Sequence, residues 1–341
     1  SAPKPMLPVA GVPVTEHQVA RARDAGVTRI VLGTSYQAEV FSDYFGSGAD
    51  FGVELEYVVE DVPLGTGGAI RNVADVLESG PNEPVVIFNG DVLTGLDIAG
   101  IVQAWRDADA DVAIYLTRVE DPRAFGLVPT DADGNVSAFL EKPQTPEEIV
   151  TDQINAGCYV FRRSLIDEIP ADRPVSVERE TFPGLLERGA KVIGYVDDGY
   201  WLDLGTPLAF VQGSADLVRG IAPSPAVPGA TGEALVLAGA EVAADAIVTG
   251  GSVIGKSSTV GAGAMVDASV VFDAAVICQG AQIERSVIGR GAFVGEGAIL
   301  RGSVVGDGAR VEAGNELLEG ARVFPNQVVA AGTIRFSSDQ S

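Results

Sequence analysis

The chain has 341 residues, with 47 acidic against 23 basic side chains and a formal net charge of −24 at pH 7. This acidic balance argues against binding to nucleic acid and to anionic membranes, which both favour basic surfaces. No apolar run reaches the ~18 residues of a membrane span, and the N-terminus lacks the pattern of a secretion signal. The two cysteines are far apart and predict buried thiols in a reducing compartment, so we expect a cytoplasmic protein.

The first two thirds of the chain alternate between helical and strand patterns. Residues 14–26 carry apolar side chains at helical spacing, whereas 27–35, 83–91 and 110–119 are β-rich runs. Such alternation predicts an α/β domain over 1–222, with a Rossmann-like, mostly parallel sheet covered on both faces. Ligands of these sheets bind beyond the carboxyl ends of the strands.

The pattern changes after a segment rich in proline, alanine and glycine, 223–233, which we interpret as a linker. From 234 to 335, small β-branched residues recur every six positions, and glycine often follows them. This repeat is typical of the hexapeptide coils of a left-handed parallel β-helix, with a Gly/Ala-rich sandwich as the alternative. The step changes near 270–287, where we expect an irregular coil, and 336–341 is expected to be a frayed tail.

Two aspartates are candidate metal ligands. Asp91 ends the β-rich run in FNGDV, directly after Asn89 and Gly90, and Asp203 lies in YWLDLGTP ahead of a predicted helix 207–219. Mg²⁺ is usually held by one or two carboxylates together with substrate phosphates, which two aspartates at strand ends would suit. Taken alone, a strand-end aspartate is more often a helix cap or a turn residue than a metal ligand.

A glycine-rich turn, LGTGGA, precedes a predicted helix. Its candidate binding residues are Leu64, Gly65, Thr66, Gly67 and Gly68. Turns of this kind let a flat base or a phosphate lie against the backbone. The alternative is a plain loop before a helix.

Two further segments carry side chains that suit a sugar phosphate. A turn at 133–134 joins two predicted strands, and the second strand delivers Glu141 for sugar hydroxyls and Lys142 for a phosphate. Asn155 opens the strand 154–161 and is suited to a sugar hydroxyl, with room left by Gly157. The alternative for the first pair is a solvated strand end.

Two more observations concern charge and catalysis. Lys4 lies between two prolines, in what we expect to be a stiff extended segment, and it could contact a phosphate or simply be a surface lysine. The only histidine, His17, is predicted to be a surface or packing residue. Because the repeats contain no histidine base, an acyltransferase is disfavoured.

The motifs PKPMLPVAG, LGTGGA, FNGD, FGLV, FLEKP, INAG and WLDLGTP occur in the order found in sugar-1-phosphate nucleotidyltransferases. The chain resembles this family over nearly its whole length, including the hexapeptide domain of the long members. Stretches such as EDPRAFGLVPTD, TDQINAGCYVF and SVERETFP make it most similar to the actinobacterial mannose-1-phosphate guanylyltransferases.

The resemblance implies transfer from GTP to mannose 1-phosphate, or the same reaction between glucose 1-phosphate and UTP, dTTP or ATP. It implies Mg²⁺ at Asp91 and Asp203. The other implied roles are phosphate contact by Lys4, nucleotide contact by 64–69 with Asn89 and Gly90, sugar contact by Gly126, Glu141, Asn155 and Gly157, and sugar-phosphate contact by Lys142.

One element of the family is not in the sequence. The family begins with a buried strand and a loop of the form GGxGTRL ahead of the PKP element, and we expect residues before Ser1 in the complete protein. If the loop were truly lacking, a regulatory subunit without catalysis would be the alternative. For the β-helix we expect a role in forming a homo-oligomer.

Overall fold

The protein is described by a computed structural model that covers residues 3–34, 37–141, 143, 145–171, 173–227 and 232–334. It contains two compact units. The sheet unit consists of residues 3–6 and 18–201, and the solenoid unit consists of 7–17 and 202–334.

The α-helices are short and are distributed over both units. They are α1 (Val14–Asp24), α2 (Ala38–Phe45), α3 (Gly65–Asn72), α4 (Ile98–Asp107), α5 (Arg163–Asp167), α6 (Phe182–Glu187) and α7 (Pro207–Arg219). The strands that precede the repeats are β1 (Pro8–Val9), β2 (Val12–Pro13), β3 (Arg29–Thr34), β4 (Glu54–Val59), β5 (Pro84–Phe88), β6 (Val92–Thr94), β7 (Val112–Arg118), β8 (Gly126–Leu127), β9 (Leu140–Glu141), β10 (Gln153–Arg162), β11 (Val192–Val196) and β12 (Trp201–Asp203).

These bounds confirm the predicted helices and strands of the first two thirds. The three β-rich runs correspond to β3, β5 and β7, and α1 ends two residues before the glycine at which it was predicted to end. Helix α7 begins at Pro207, where the missing N–H of proline costs nothing, and Thr206 caps it by accepting a hydrogen bond from the Ala209 N–H (3.1 Å).

The main sheet of the sheet unit has the order β11-β7-β10-β8-β9, and β5 also pairs with β10. Strands β7 and β11 are parallel, as are β3 and β4 in a separate pair, whereas β10 is antiparallel to β5, β7 and β8. Because of this reversal, the start of β10 lies at the same sheet edge as the ends of β5 and β7. The polar start of β10 is therefore placed beside FNGD.

Side chains of β7 alternate between two cores, one on each face of the sheet. Ile114 and Leu116 pack with Tyr159 and neighbours from α6, and Tyr115 packs on the opposite face with residues of α4. A strand buried on both faces needs the nearly continuous apolar run that predicted it. The core therefore holds β7 and β10 rigidly from both sides.

The repeats of the solenoid unit form three parallel sheets. Their strands are β13 (Ala234–Val236), β14 (Glu241–Val242), β15 (Ile247–Thr249), β16 (Ser252–Ile254), β17 (Thr259–Val260), β18 (Met265–Asp267), β19 (Val270–Val271), β20 (Val276–Ile277), β21 (Gln282–Glu284), β22 (Val287–Ile288), β23 (Phe293–Val294), β24 (Ile299–Arg301), β25 (Val304–Val305), β26 (Arg310–Val311), β27 (Glu316–Leu317), β28 (Arg322–Val323) and β29 (Val328–Val329). The apolar residues of the six-residue step point into one continuous core, as predicted.

The coil predicted to be irregular is regular. Strand β19 pairs in register with β22, and β20 pairs in register with β23. The change of step arises because one side of the coil has five residues instead of six, as from Val266 to Val271, and this short side recurs in the next two coils. A buried serine lies two residues before each inward residue that ends the short side. Ser269 and Ser286 each accept the backbone N–H of the corresponding serine one coil later, as between Ser269 and Ser286 (3.0 Å).

Helix α7 and the β1–β2 hairpin belong to the solenoid unit. The ring of Phe210 on α7 meets Phe272 edge-on at 6.2 Å, and the Ala10 N–H donates to the Ser214 hydroxyl (3.0 Å). His17 is buried, with Nε2 donating to the Val9 carbonyl (3.1 Å) and Nδ1 beside the Ser224 hydroxyl (2.6 Å). The packing role predicted for this histidine therefore fits its surroundings.

The two cysteines differ from each other. Cys158 is buried in β10, as predicted, but Cys278 follows β20 and is only half-buried, because that position lies at a corner of the coil. Of the helices in the described residues, none combines the length and the apolar character that crossing a membrane requires.

Candidate functional site

The FNGD turn is held by backbone contacts on two sides. The Asn89 N–H donates to the Gly157 carbonyl (2.8 Å). The Gln18 amide, on α1, donates to the carbonyls of Asn89 (2.8 Å) and Val92 (3.0 Å). Asp91 is half-buried and follows the end of β5. The hydrogen bonds around it hold the backbone of its turn in place.

Lys4 lies in a turn that packs against FNGD. The prediction of an extended segment was wrong, because Lys4–Met6 forms a 3₁₀ turn closed by the bond from the Met6 N–H to the Pro3 carbonyl (2.9 Å). A side chain at Gly90 would lie 3.2 Å from Pro5, so the glycine permits this packing. Lys4 itself is exposed.

A bulge in β10 sets the position of Asn155. Asn155 is opposite Leu116 and Tyr159 is opposite Ile114, so β10 has two more residues than β7 over this stretch. The bulge contains Gly157 at φ 76°, a conformation that favours glycine. It turns the Asn155 side chain back along the strand, toward the ring of Tyr159.

Both ends of the Asn155 amide have partners. Its Oδ1 accepts the Gly157 N–H (3.0 Å), and its Nδ2 donates to the Tyr159 hydroxyl (2.9 Å). One lone pair and one N–H of the amide point elsewhere, which is what recognition of a sugar hydroxyl requires. The sequence pattern identified Asn155 and Gly157 but missed Tyr159, the one phenol in this strand.

The predicted sugar contacts lie on adjacent strands. Gly126 is directly opposite Glu141 in the β8–β9 pair, and Leu127 is opposite Ile154 in the β8–β10 pair. The backbone therefore brings Gly126 and Glu141 within two strands of Asn155. Lys142 lies outside the described residues.

The glycine-rich turn is packed against a distant segment. The N–H groups of Gly67 and Gly68 both donate to the Val175 carbonyl (2.8 and 3.3 Å), and the Val175 N–H donates to the Leu64 carbonyl (2.8 Å). A side chain at Gly65, where φ is 70°, would lie 2.7 Å from that same carbonyl oxygen. The glycines thus allow the segment around Val175 to cross the turn, and these two N–H groups are already engaged.

Thr66 joins this turn to a single π-helical turn, Val177–Thr181. Its hydroxyl accepts the Val177 N–H (2.9 Å) and donates to a carboxylate oxygen of Glu178 (3.1 Å). Glu178, in the stretch SVERETFP, is a second residue that the sequence analysis did not select. The sequence feature that could have identified Glu178 is the acidic pair in this segment, which has no clear helical or strand periodicity.

Asp203 forms a turn at the end of β12. Its Oδ1 accepts the Gly205 N–H (2.6 Å), and the carboxylate is half-buried. Since Thr206 is the cap of α7, the helix-cap alternative for Asp203 does not apply, whereas the turn alternative does. The turn leaves Oδ2 outside that hydrogen bond.

Trp201 connects the bulge to a loop. Its indole N–H donates to the Ala156 carbonyl (2.9 Å), and its ring meets Phe125 edge-on at 5.5 Å. The contact holds the bulge of β10 beside Phe125, which directly precedes Gly126.

In the part of the chain that the structure describes, no three His, Cys, Asp or Glu side chains gather into a metal cluster.

The family of the chain follows from comparison with known proteins. Residues 1–220 match the family described as Nucleotidyl transferase, and residues 230–335 match the GMPPB C-terminal domain. The chain belongs to the nucleotidyl transferase family. Its bulged strand, glycine-rich turn and FNGD segment lie within the first match.

Curated relatives place it more narrowly. The mannose-1-phosphate guanylyltransferase of Mycobacterium tuberculosis is 53% identical over 340 residues, which are 99% of this chain and 93% of that protein. The catalytic subunit beta of mannose-1-phosphate guanylyltransferase from Drosophila pseudoobscura pseudoobscura is 36% identical over 214 residues, which are 62% of this chain and 56% of that protein.

Solved structures share the fold. HddC from Yersinia pseudotuberculosis has a TM-score of 0.54 and 27% identity, covering 62% of this chain and 89% of that one. A putative glucose-1-phosphate thymidylyltransferase from Bacillus anthracis has a TM-score of 0.54 at 24% identity, covering 62% of this chain and 85% of that one, and shares the fold alone.

Proposed function

We propose that the protein transfers the guanylyl group of GTP to mannose 1-phosphate, giving GDP-mannose and pyrophosphate. The observation that carries the proposal is the 53% identity with a mannose-1-phosphate guanylyltransferase over 99% of the chain. The oriented amide of Asn155, beside the strands of Gly126 and Glu141, supports a sugar-binding role for this edge of the sheet.

The chemistry is an in-line displacement. An oxygen of the sugar phosphate forms a bond to the α-phosphorus of GTP, the bond from that phosphorus to the bridging β-oxygen breaks, and pyrophosphate leaves. The attacking oxygen is already anionic, so no base is needed. This suits a chain whose only histidine is buried against Val9 and Ser224. The protein then contributes mainly orientation and charge neutralisation, the latter from Lys4 and Lys142.

Asp91 and Asp203 are the proposed Mg²⁺ ligands, together with substrate phosphates. The donor chemistry fits, because carboxylate oxygens are preferred by this ion and Asp203 keeps Oδ2 outside its turn hydrogen bond. When bound, Mg²⁺ supplies charge neutralisation to the phosphates. Asn89, Gly90 and residues 64–68 are the proposed nucleotide contacts, and Gly157 gives the sugar room.

A substrate panel tests the proposal. GTP, ATP, UTP and dTTP are each combined with mannose 1-phosphate and glucose 1-phosphate, and pyrophosphate release is measured. We expect GTP with mannose 1-phosphate to give the highest kcat/KM and a product with the mass of GDP-mannose. A higher value for glucose 1-phosphate with UTP, dTTP or ATP would overturn the assignment. The regulatory alternative is disfavoured because a matching relative is named a catalytic subunit, and it predicts no turnover with any pair.

Two further proposals concern the whole molecule. We propose a homo-oligomer formed through the solenoid, supported by an outward row in which Val276 is 37% and Val328 is 62% exposed. Sedimentation velocity should then detect species larger than a monomer, and Val328→Glu should shift the distribution toward monomer.

A cytoplasmic location is supported by the two free thiols, Cys158 and Cys278, and fractionation of native cells tests it.

A further inference from the structure

Tyr159 lies under the site and contacts groups from several elements. Its side chain is fully buried, and its ring packs edge-on against Phe182 (5.1 Å) and Phe161 (6.4 Å). Its hydroxyl accepts from Asn155 Nδ2 (2.9 Å). The phenol therefore holds the amide at the start of β10.

Further hydrogen bonds connect the Asn155 amide to the turn after β5. Asn155 Oδ1 accepts from the Gly157 N–H, and the Gly157 carbonyl accepts from the Asn89 N–H (3.0 and 2.8 Å). A side chain at Gly157 would lie 3.0 Å from Asn89 Nδ2, so the glycine leaves room for this amide beside the bulge. With these partners the Asn155 amide has one orientation that satisfies both of its hydrogen bonds.

The phenol stays protonated under ordinary conditions. Burial raises the pKa of Tyr159 far above its usual value, and the nearby Glu178 carboxylate raises the pKa further. A proton-transfer role is therefore disfavoured, and an orienting role is left. Through Glu178, which is hydrogen-bonded to Thr66, the same region is linked to the glycine-rich turn.

We propose that Tyr159 is a positioning residue for the transfer: its hydroxyl sets the orientation in which the Asn155 amide is presented to the sugar. The inference rests on the function proposed above. It extends the site to a residue that itself touches neither substrate.

The test compares two buried tyrosines on adjacent strands. Tyr159→Phe removes the hydroxyl and keeps the ring in its packing. Tyr115→Phe is the matched control, because Tyr115 is also fully buried but belongs to the core on the opposite face of the sheet. Initial rates are measured with GTP and mannose 1-phosphate varied in turn, and thermal unfolding is recorded for each variant.

We expect Tyr159→Phe to raise the KM for mannose 1-phosphate about tenfold, the value of one well-placed hydrogen bond, while Tyr115→Phe stays within about twofold of wild type. Adding Tyr159→Phe to Asn155→Ala should then cost little more than Asn155→Ala alone, because both remove the same contact. Equal kinetics for the two Phe variants, or fully additive losses in the double variant, would overturn the inference alone. A wild-type protein that forms no GDP-mannose would overturn the proposed function as well.

Discussion

In the sheet unit, one side chain often joins segments far apart in sequence, whereas in the solenoid unit one contact is repeated from coil to coil. Gln18 holds the FNGD turn, and Thr66 holds a segment more than a hundred residues away. In the solenoid, the bond from Ser269 N–H to the Ser252 hydroxyl recurs one coil later between Ser286 and Ser269. Substituting one of these joining side chains should therefore alter the site, whereas substituting a serine of the repeated contact should weaken a single coil.

The largest expected effect tests whether the reaction depends on the edge of the sheet where β5 ends. Asp91→Asn keeps the size of the side chain but removes its charge, so we expect kcat to fall on the order of a hundredfold or more with little change in the unfolding temperature. Asp75→Asn is the control, since the Asp75 side chain is 95% exposed and only loosely paired with Arg71 (3.9 Å). A near-wild-type rate for Asp91→Asn at saturating Mg²⁺ would remove Asp91 from the metal site.

The second largest expected effect tests the close packing of the segment around Val175 against the glycine-rich turn. Gly65 and Gly189 have similar backbone conformations, with φ 70° and 75°, but only Gly65 is crowded, by the Val175 carbonyl. We expect Gly189→Ala to cost about 1 kcal/mol from backbone strain, and Gly65→Ala to cost at least about 1 kcal/mol more from the clash. Urea unfolding of both variants gives the difference. Equal losses would show that the crossing carries no steric constraint.

A smaller effect tests the repeated contact. Ser269→Ala leaves the buried Ser286 N–H without its acceptor, so we expect a loss of about 1–3 kcal/mol with unchanged kcat. Ser303→Ala should cost less, because the Ser303 hydroxyl donates to the Arg301 and Leu317 carbonyls and accepts no N–H among the described residues. If the two variants unfold at the same urea concentration, the serine ladder is not what stabilises the short side of the coil.

The smallest effect lies in the pH dependence of stability. Burial raises the pKa of Tyr115 to about 12, against roughly 10 for the unfolded chain. The unfolded state therefore releases this proton first, and stability should fall as the pH rises from about 10 to about 12. Tyr115→Phe should show a shallower fall in urea-unfolding free energy over this range. An identical slope in the variant would mean that Tyr115 does not titrate late.

Local periodicity accounts for the elements that the sequence predicted well. Proline at the start of α7 and the six-residue step of the coil act within a few residues, so they can be read directly. The antiparallel direction of β10 and the crossing of Val175 over Gly67 depend on pairings between distant segments, which no local pattern records. Asn155 was found because its motif is local, whereas Tyr159 was missed because only the bulge brings its hydroxyl to that amide.

The in-register stacking of the coils has a consequence for how the gene can change. Each strand of the solenoid pairs with the equivalent strand one coil away. Val271, for example, lies opposite Ile288, which is 17 residues further along the chain. Deleting one residue inside a strand would exchange the inward and outward faces of that strand, as happens in any slipped β-pairing. Tolerated insertions and deletions should therefore be whole coils, or extra residues placed at the corners, so the length of this region should vary among relatives in discrete steps.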